Sequence, residues 1–253
     1  MGFQEIGEYE EVLEVSLRGI EQARKTQNVF LLFSNLDRLG RAYEVLLDLQ
    51  EARRVHEEAL GLRGALGPQY EVFSSIRLCA VAALSEDWEE AYAYAKRARQ
   101  GRTFFNVLDI FYLHHVVEGL LRGGDERSAR EEISRFAERA EANERARISY
   151  LRSLAVLSEF EGDTQRAIEH LQQAHTLAQK IGVPGELWQI QSRLGGLHER
   201  RGEETEAQKA YSLAAQTLRE LAQKIRDEEL RERFLSAPLV RRVLGHLGRR
   251  SLL

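Results

Sequence analysis

The sequence predicts an all-α protein, a right-handed α-α superhelix of stacked helix pairs with C-terminal capping helices, on three observations. Prolines number only three in 253 residues (Pro68, Pro184, Pro238). Ala, Leu, Glu, Arg and Gln dominate, the residues that lose least on entering a helix, whereas a β-rich chain shows more turn punctuation and more β-branched positions. A mostly small residue also recurs at a fixed interval: Val12, Ala52, Ala91, Ala129, Ala167 and Ala207 are spaced 40, 39, 38, 38 and 40 residues apart. Each follows an acidic or small turn, such as Asp48-Leu49-Gln50-Glu51 or Gly162-Asp163-Thr164-Gln165-Arg166, and such a period marks helical hairpins that bury their apolar faces only by stacking.

The elements follow from that register. Twelve residues upstream of the recurring residue lie Gly40, Cys79, Val117, Ala155 and Gly195, small positions on a first helix. Seven residues downstream lie Ala59, Ala98, Ala174 and Ala214, with Phe136 the exception. First helices are predicted near 28–47, 69–85, 103–122, 143–161 and 186–201, and second helices near 9–25, 49–63, 87–100, 125–140, 163–180 and 203–225. Breaks fall at Gly61 to Pro68 and at Gly182-Val183-Pro184-Gly185. Residues 1–226 read as the array, and 227–253 as capping helices, one over Leu230 to Leu235 and another opened by Pro238 with Val240, Val243, Leu244 and Leu247 along it. The first repeat keeps only Met1 to Ile6 of its first helix, so the chain is expected to be cut from a longer protein. Val12, Leu13 and Leu17 would then lie on a helix without its partner, a face expected to drive end-to-end homo-oligomerisation.

One stretch carries the pattern most fully: Leu39-Gly40, Tyr43, Ala52, His56 and Ala59. With its copies it resembles the tetratricopeptide repeat, in a long-period form, over roughly residues 7–215. The tail from Leu230 to Leu244 is similar to the end of the C-terminal repeat region of bacterial ATP-dependent, maltose-activator-like transcriptional regulators. That resemblance implies a sensor or scaffold segment of a regulatory protein, separate from the nucleotide switch, since no Gly-x-x-x-x-Gly-Lys-Ser/Thr loop occurs here. Five lysines among 36 basic residues point to a high-GC bacterial source.

Composition narrows the function. A net charge of −4 supplies no basic field for nucleic acid. The single Cys79 excludes an internal disulfide framework and a paired-cysteine zinc site. No apolar run of about 18 residues suggests a membrane span, and no secretory signal is evident, so the expected location is cytoplasmic. His114-His115-x-x-Glu118 has metal-like spacing but lacks a second cluster to complete a ligand set. Cys79 reads as a packed thiol, Trp88 and Trp188 as packing aromatics, and Glu89-Glu90 and Glu203-Glu204 as acids favoured by helix N-termini. No phosphate cradle or nucleophile elbow occurs, so no enzyme, cofactor or metal is expected.

A superhelix offers instead a concave groove lined by first helices. Counting from the small position, the groove is expected to contain Asp37, Arg41 and Glu44; Ile76 and Ala80; His114 and Glu118; Arg152, Val156 and Glu159. Ile76 and Ala80 would form an apolar floor, with exposed Arg41 and Arg152 holding acidic or carbonyl groups; the competing reading is a set of solvated helix faces. The chain therefore reads as a protein–protein interaction scaffold that binds a partner's peptide or helix. The alternative is a small-molecule-sensing array that changes conformation or self-association. RNA binding is disfavoured by the charge.

Overall fold

The structure is a computed structural model that describes residues 9–100 and 109–248. The expected first-helix remnant Met1 to Ile6, the start of the helix expected at 103–122 and the end of the tail lie outside these residues. Among the described residues fourteen helices follow one another: α1 (Tyr9–Lys25), α2 (Val29–Val45), α3 (Leu49–Gly61), α4 (Arg63–Leu66), α5 (Pro68–Leu84), α6 (Trp88–Gln100) and α7 (Asp109–Arg122). The remainder are α8 (Glu126–Ala142), α9 (Glu144–Phe160), α10 (Thr164–Ile181), α11 (Pro184–Arg200), α12 (Glu204–Lys224), α13 (Glu228–Ser236) and α14 (Pro238–Gly248). The fold is an all-α solenoid. The break expected at Gly61 to Pro68 holds the single turn α4, the one addition to the predicted order. Among the described residues, no helix is long and apolar enough to cross a membrane.

The turn inside each pair is built the same way five times. Leu47, Glu86, Gly124, Gly162 and Gly202 sit in the left-handed region, with φ of 57°, 59°, 80°, 81° and 73°. The residue after each sends its N–H back to the carbonyl six positions behind, counting inclusively, as from Asp48 to Tyr43 and from Asp163 to Ser158, which satisfies carbonyls left over at the helix end. That residue is Asp in four turns, and its side chain accepts from the first-turn N–H of Glu51, Glu90, Ser128 or Arg166, capping the next helix. The recurring acidic turn is thus a helix stop and a helix start in adjacent residues.

Pairs form between α2 and α3, α5 and α6, α7 and α8, α9 and α10, and α11 and α12, while α1 packs on α2 as the second helix of the preceding unit. Ala52, Ala91, Ala129 and Ala167 are completely buried where the helices touch. The small positions on first helices serve two ends. A Cβ on Gly40 would lie 2.3 Å from the His56 ring, and one on Gly195 would lie 2.8 Å from that of Tyr211. These glycines therefore accept a ring from the second helix instead of letting the two backbones meet. At Gly119 the backbone does approach, its virtual Cβ 3.0 Å from the carbonyl oxygen of Ala91.

Helices α13 and α14 fold back on α12, where Phe234, Val240 and Val243 pack with Trp188, Leu218, Leu221 and Ile225. The same cluster contains Tyr9, Leu46 and Leu47, with Leu13 at its edge. Glu10 accepts from the backbone N–H of Arg226 and of Asp227, the latter at 3.0 Å. Arg242 pairs with Glu86 at 2.6 Å, and Arg233 approaches Asp48 at 3.7 Å. The C-terminal cap therefore reaches the first turns of the array, and the solenoid closes on itself. This alters the expected N-terminal face. Val12 is buried and Leu13 is partly covered by the chain's own cap, which leaves Leu17 exposed at 51%.

Candidate ligand-binding lumen

Closure turns the expected open groove into a lumen whose wall is made by α2, α5, α7, α9 and α11. Three charge networks join these helices. In the first, Glu44 on α2 accepts from His56 Nε2 at 2.7 Å and from the Tyr112 hydroxyl at 2.7 Å. Arg77, with no exposed surface, donates from Nε to Asp37 Oδ1 at 2.9 Å and lies 4.3 Å above the Tyr112 ring. Burial raises the Asp37 and Glu44 carboxyls, but their cationic and donor neighbours prevail and hold both below the usual carboxylate range.

The second network crosses the lumen. Arg193 on α11 donates from both terminal nitrogens to Glu118 on α7, each at 3.0 Å, and from Nε to Glu159 on α9 at 2.5 Å. Arg200 adds a 2.6 Å contact to Glu159. A forked guanidinium matches a carboxylate in this way, and the interaction keeps Glu118 ionised despite its burial. The acid of the His114-His115-x-x-Glu118 spacing is therefore committed to Arg193.

The third network lies between them. His114 Nδ1 meets Ser149 Oγ at 3.2 Å, and the His114 and His115 rings are 4.0 Å apart. Burial, aided by the nearby Arg152, pushes His115 down to about 3 and also lowers His114, so both rings are neutral at pH 7. Arg152 donates to Gln189 Oε1 at 2.7 Å, and Arg145 pairs with Glu186 while lying 4.6 Å above the Phe111 ring. Burial brings Arg152 down to about 10, with Arg193 and Arg145 adding repulsion that Glu186 partly offsets.

Two cavities open from this wall. One of about 120 Å³ is lined on its polar side by Arg41, Glu44, His114, His115, Arg145, Arg152, Glu186 and Gln189, and on its apolar side by Leu47, Leu84, Val183 and Trp188. The other, about 420 Å³, lies between Glu118, Leu121, Arg122, Val156, Glu159, Phe160, Arg193 and Arg200.

Of the residues expected in the groove, Arg41, Glu44, His114 and Arg152 meet at the first cavity, and Glu118, Val156 and Glu159 at the second. Asp37 stands beside the first network. Ile76 and Ala80 have no accessible surface; they support the wall from behind and offer no floor, because α5 is sandwiched by α6 and α7. Arg152 was expected to be exposed, yet it is only 9% exposed, since α9 carries it inward between α7 and α11. Counting also missed Arg77, His115 and Arg193, all two positions before the small residue. The signal is in the sequence: in four of the five repeats (Arg38, Arg77, His115 and Arg193, with Ser153 the exception) that position is basic or imidazole, a regularity the groove count does not use.

Helix pairs, a shared turn and an inner wall of first helices define a tetratricopeptide-like helical-repeat array. By sequence the chain matches no family model and no curated protein. By structure it is similar to the crystal structure of BtubC (BKLC) from P. vanneervenii, at 17% identity and a TM-score of 0.53, covering 84% of this chain and 92% of that one. A tetratricopeptide repeat protein from Parabacteroides merdae ATCC 43184 aligns over 91% of this chain and 98% of its own, with 16% identity and a TM-score of 0.44.

Proposed function

We propose that this chain is a non-catalytic protein–protein interaction scaffold, a regulatory or sensor segment of a cytoplasmic bacterial signalling or transcription-regulating protein. A peptide or helix of the partner is held on the concave side. The observation that carries this reading is the larger cavity. Phe160 is 51% exposed, in a cavity also lined by Leu121 and Val156 and by Arg122 and Arg200. An apolar anchor point rimmed by arginines suits a short amphipathic segment with an acidic flank. The lumen acid Glu118 favours binding over chemistry, because Arg193 holds it as a carboxylate and a general acid or base must exchange its proton near working pH. Arg41 lines the smaller cavity, and Asp37 stands beside it bound to Arg77. The exposed Leu17 makes a second copy of the chain a further partner, read by concentration-dependent sedimentation of wild type against Leu17→Arg.

Peptide display on immobilised protein tests the reading. The expected result is a shared apolar-acidic consensus that is lost with Phe160→Asp and kept with Leu17→Asp. Equal enrichment on Phe160→Asp places the partner site elsewhere. A second reading, that the array senses a small molecule, is favoured by the smaller cavity, which is too confined for a peptide chain.

A further inference from the structure

We infer that the smaller lumen cavity binds a small hydroxylated monocarboxylate, its carboxylate against Arg41 and Arg152 and its hydroxyl towards His114 and Glu186. This rests on the small-molecule reading above and names the ligand class.

Charge is the first argument. Among the described residues, the ionised groups lining the cavity are Arg41, Arg145, Arg152, Glu44 and Glu186. Glu44 has both oxygens engaged, by His56 and Tyr112. Glu186 pairs with Arg145 and stands 3.8 Å from Arg152. Arg41 has no carboxylate within ion-pair distance among the described residues, and Arg152 gives its short hydrogen bond to the neutral amide of Gln189. An anion completes this arrangement at Arg41 and Arg152. The two arginines offer a fork that suits a carboxylate.

Polar satisfaction is the second argument. His114 Nε2 and Glu186 Oε2 are both buried and have no hydrogen-bond partner. Buried polar atoms are nearly always satisfied, because an unmatched one bears its full desolvation penalty. A hydroxyl can donate its one proton to the Glu186 oxygen and accept from His114 Nε2–H, in the tautomer whose Nδ1 accepts from the Ser149 hydroxyl. A second carboxylate would only add repulsion beside Glu186.

Size and surroundings complete the description. The cavity measures about 120 Å³ and is open on one side; an apolar protein cavity of about 150 Å³ takes the six heavy atoms of benzene, so this one encloses about five heavy atoms and leaves the end of a slightly longer ligand in its mouth. Leu47, Leu84, Val183 and Trp188 supply an apolar side for a short carbon body.

Isothermal titration with 3-hydroxybutyrate, its neutral amide, butyrate and inorganic phosphate tests the assignment on the full chain. The expected result is one site for 3-hydroxybutyrate, with at least tenfold weaker binding of the amide and of butyrate. Arg41→Gln, at a half-exposed position, should also weaken 3-hydroxybutyrate at least tenfold with an unchanged melting temperature. Arg152→Gln provides the second variant, with its fold checked by circular dichroism. Binding of the amide as tight as the acid overturns the anionic assignment and leaves the small-molecule reading standing. Phosphate binding as tight as the hydroxy acid overturns the organic body, and butyrate binding equally well overturns the hydroxyl. Absence of heat with all four overturns the site.

Discussion

Leu47 and Glu86 occupy the turn position that is glycine in the other three pairs, so both hold a side chain in a left-handed backbone. For an L-residue that conformation costs about 1–2 kcal/mol, and both side chains touch the C-terminal cap. Glu86→Gly removes the strain, adds about 0.5–1 kcal/mol of unfolded-state entropy and loses one pair to Arg242. That carboxylate is 51% exposed, and an exposed pair contributes about 0.2–1 kcal/mol; the terms nearly cancel, so the net change is within about 1 kcal/mol of zero. Leu47→Gly relieves the same strain but empties a site in the cap cluster where Leu47 is only 7% exposed. Truncating a buried leucine costs about 2–5 kcal/mol, so this variant should be destabilised by about 2–3 kcal/mol. Guanidinium unfolding of both variants and of wild type reads the difference directly. A double-mutant cycle of Leu47→Gly with Val240→Ala, in the same cluster but in the cap, should show coupling of more than about 0.5 kcal/mol. Equal effects of the two glycines, or no coupling to Val240, would refute both the strain argument and the closure.

Acidification from pH 7 to 5 should weaken the fold in steps set by the lumen. His114 and His115 are depressed in the folded state, so below about 6.5 the unfolded chain takes up protons that the folded one refuses, a loss of about 1.4 kcal/mol per histidine per pH unit. Lower still, the stability from Asp37, Glu44 and Glu118, whose carboxyls are lowered on folding, is lost as the pH falls through the ordinary carboxylate range; urea titrations at several pH values measure both limbs. Gly40→Ala forces a methyl into the His56 ring, which the Glu44 bond holds in place, and should cost about 1–3 kcal/mol, seen as a lower unfolding midpoint. Ala129→Leu should cost a similar amount, because Ala129 has no free surface between α8 and α7; an unchanged midpoint would mean the helix register is misplaced.

Much of the architecture is legible in the sequence because its cause is local and repeated. The acidic turn residues are helix caps, so Asp48, Asp125 and Asp163 mark element starts to within a residue, and the alanines that follow mark where helices touch. The lumen is less legible. Its side chains are chosen by neighbours far along the chain: Tyr112 is set by Glu44, and Glu118 by Arg193, 75 residues away. A fixed count along one repeat finds the helix face but not which side chains tilt inward once first helices crowd together, so Ile76 and Ala80 were placed on a surface that α6 and α7 remove. Closure was hidden for another reason. The apolar spacing of Val240 and Val243 says that the cap covers something, and only the curvature summed over five pairs brings Tyr9 and Leu47 within its reach.

The contact of Glu10 with the backbone at Arg226 and Asp227, 216 and 217 residues away, changes how the array comes apart. An open solenoid is a line of neighbours, and its ends fray because each terminal unit has one interface. Joined in this way, neither end of the described array is held by one interface alone. One interface can open and every helix pair is still held from its other side, so separating a segment requires two breaks at once. Breathing at the two ends, ordinarily independent, becomes a single event. A ligand or partner that loosens the seam between α14 and the turn at Glu86 would thereby set the curvature of the whole ring free, at a distance from the lumen where it is felt.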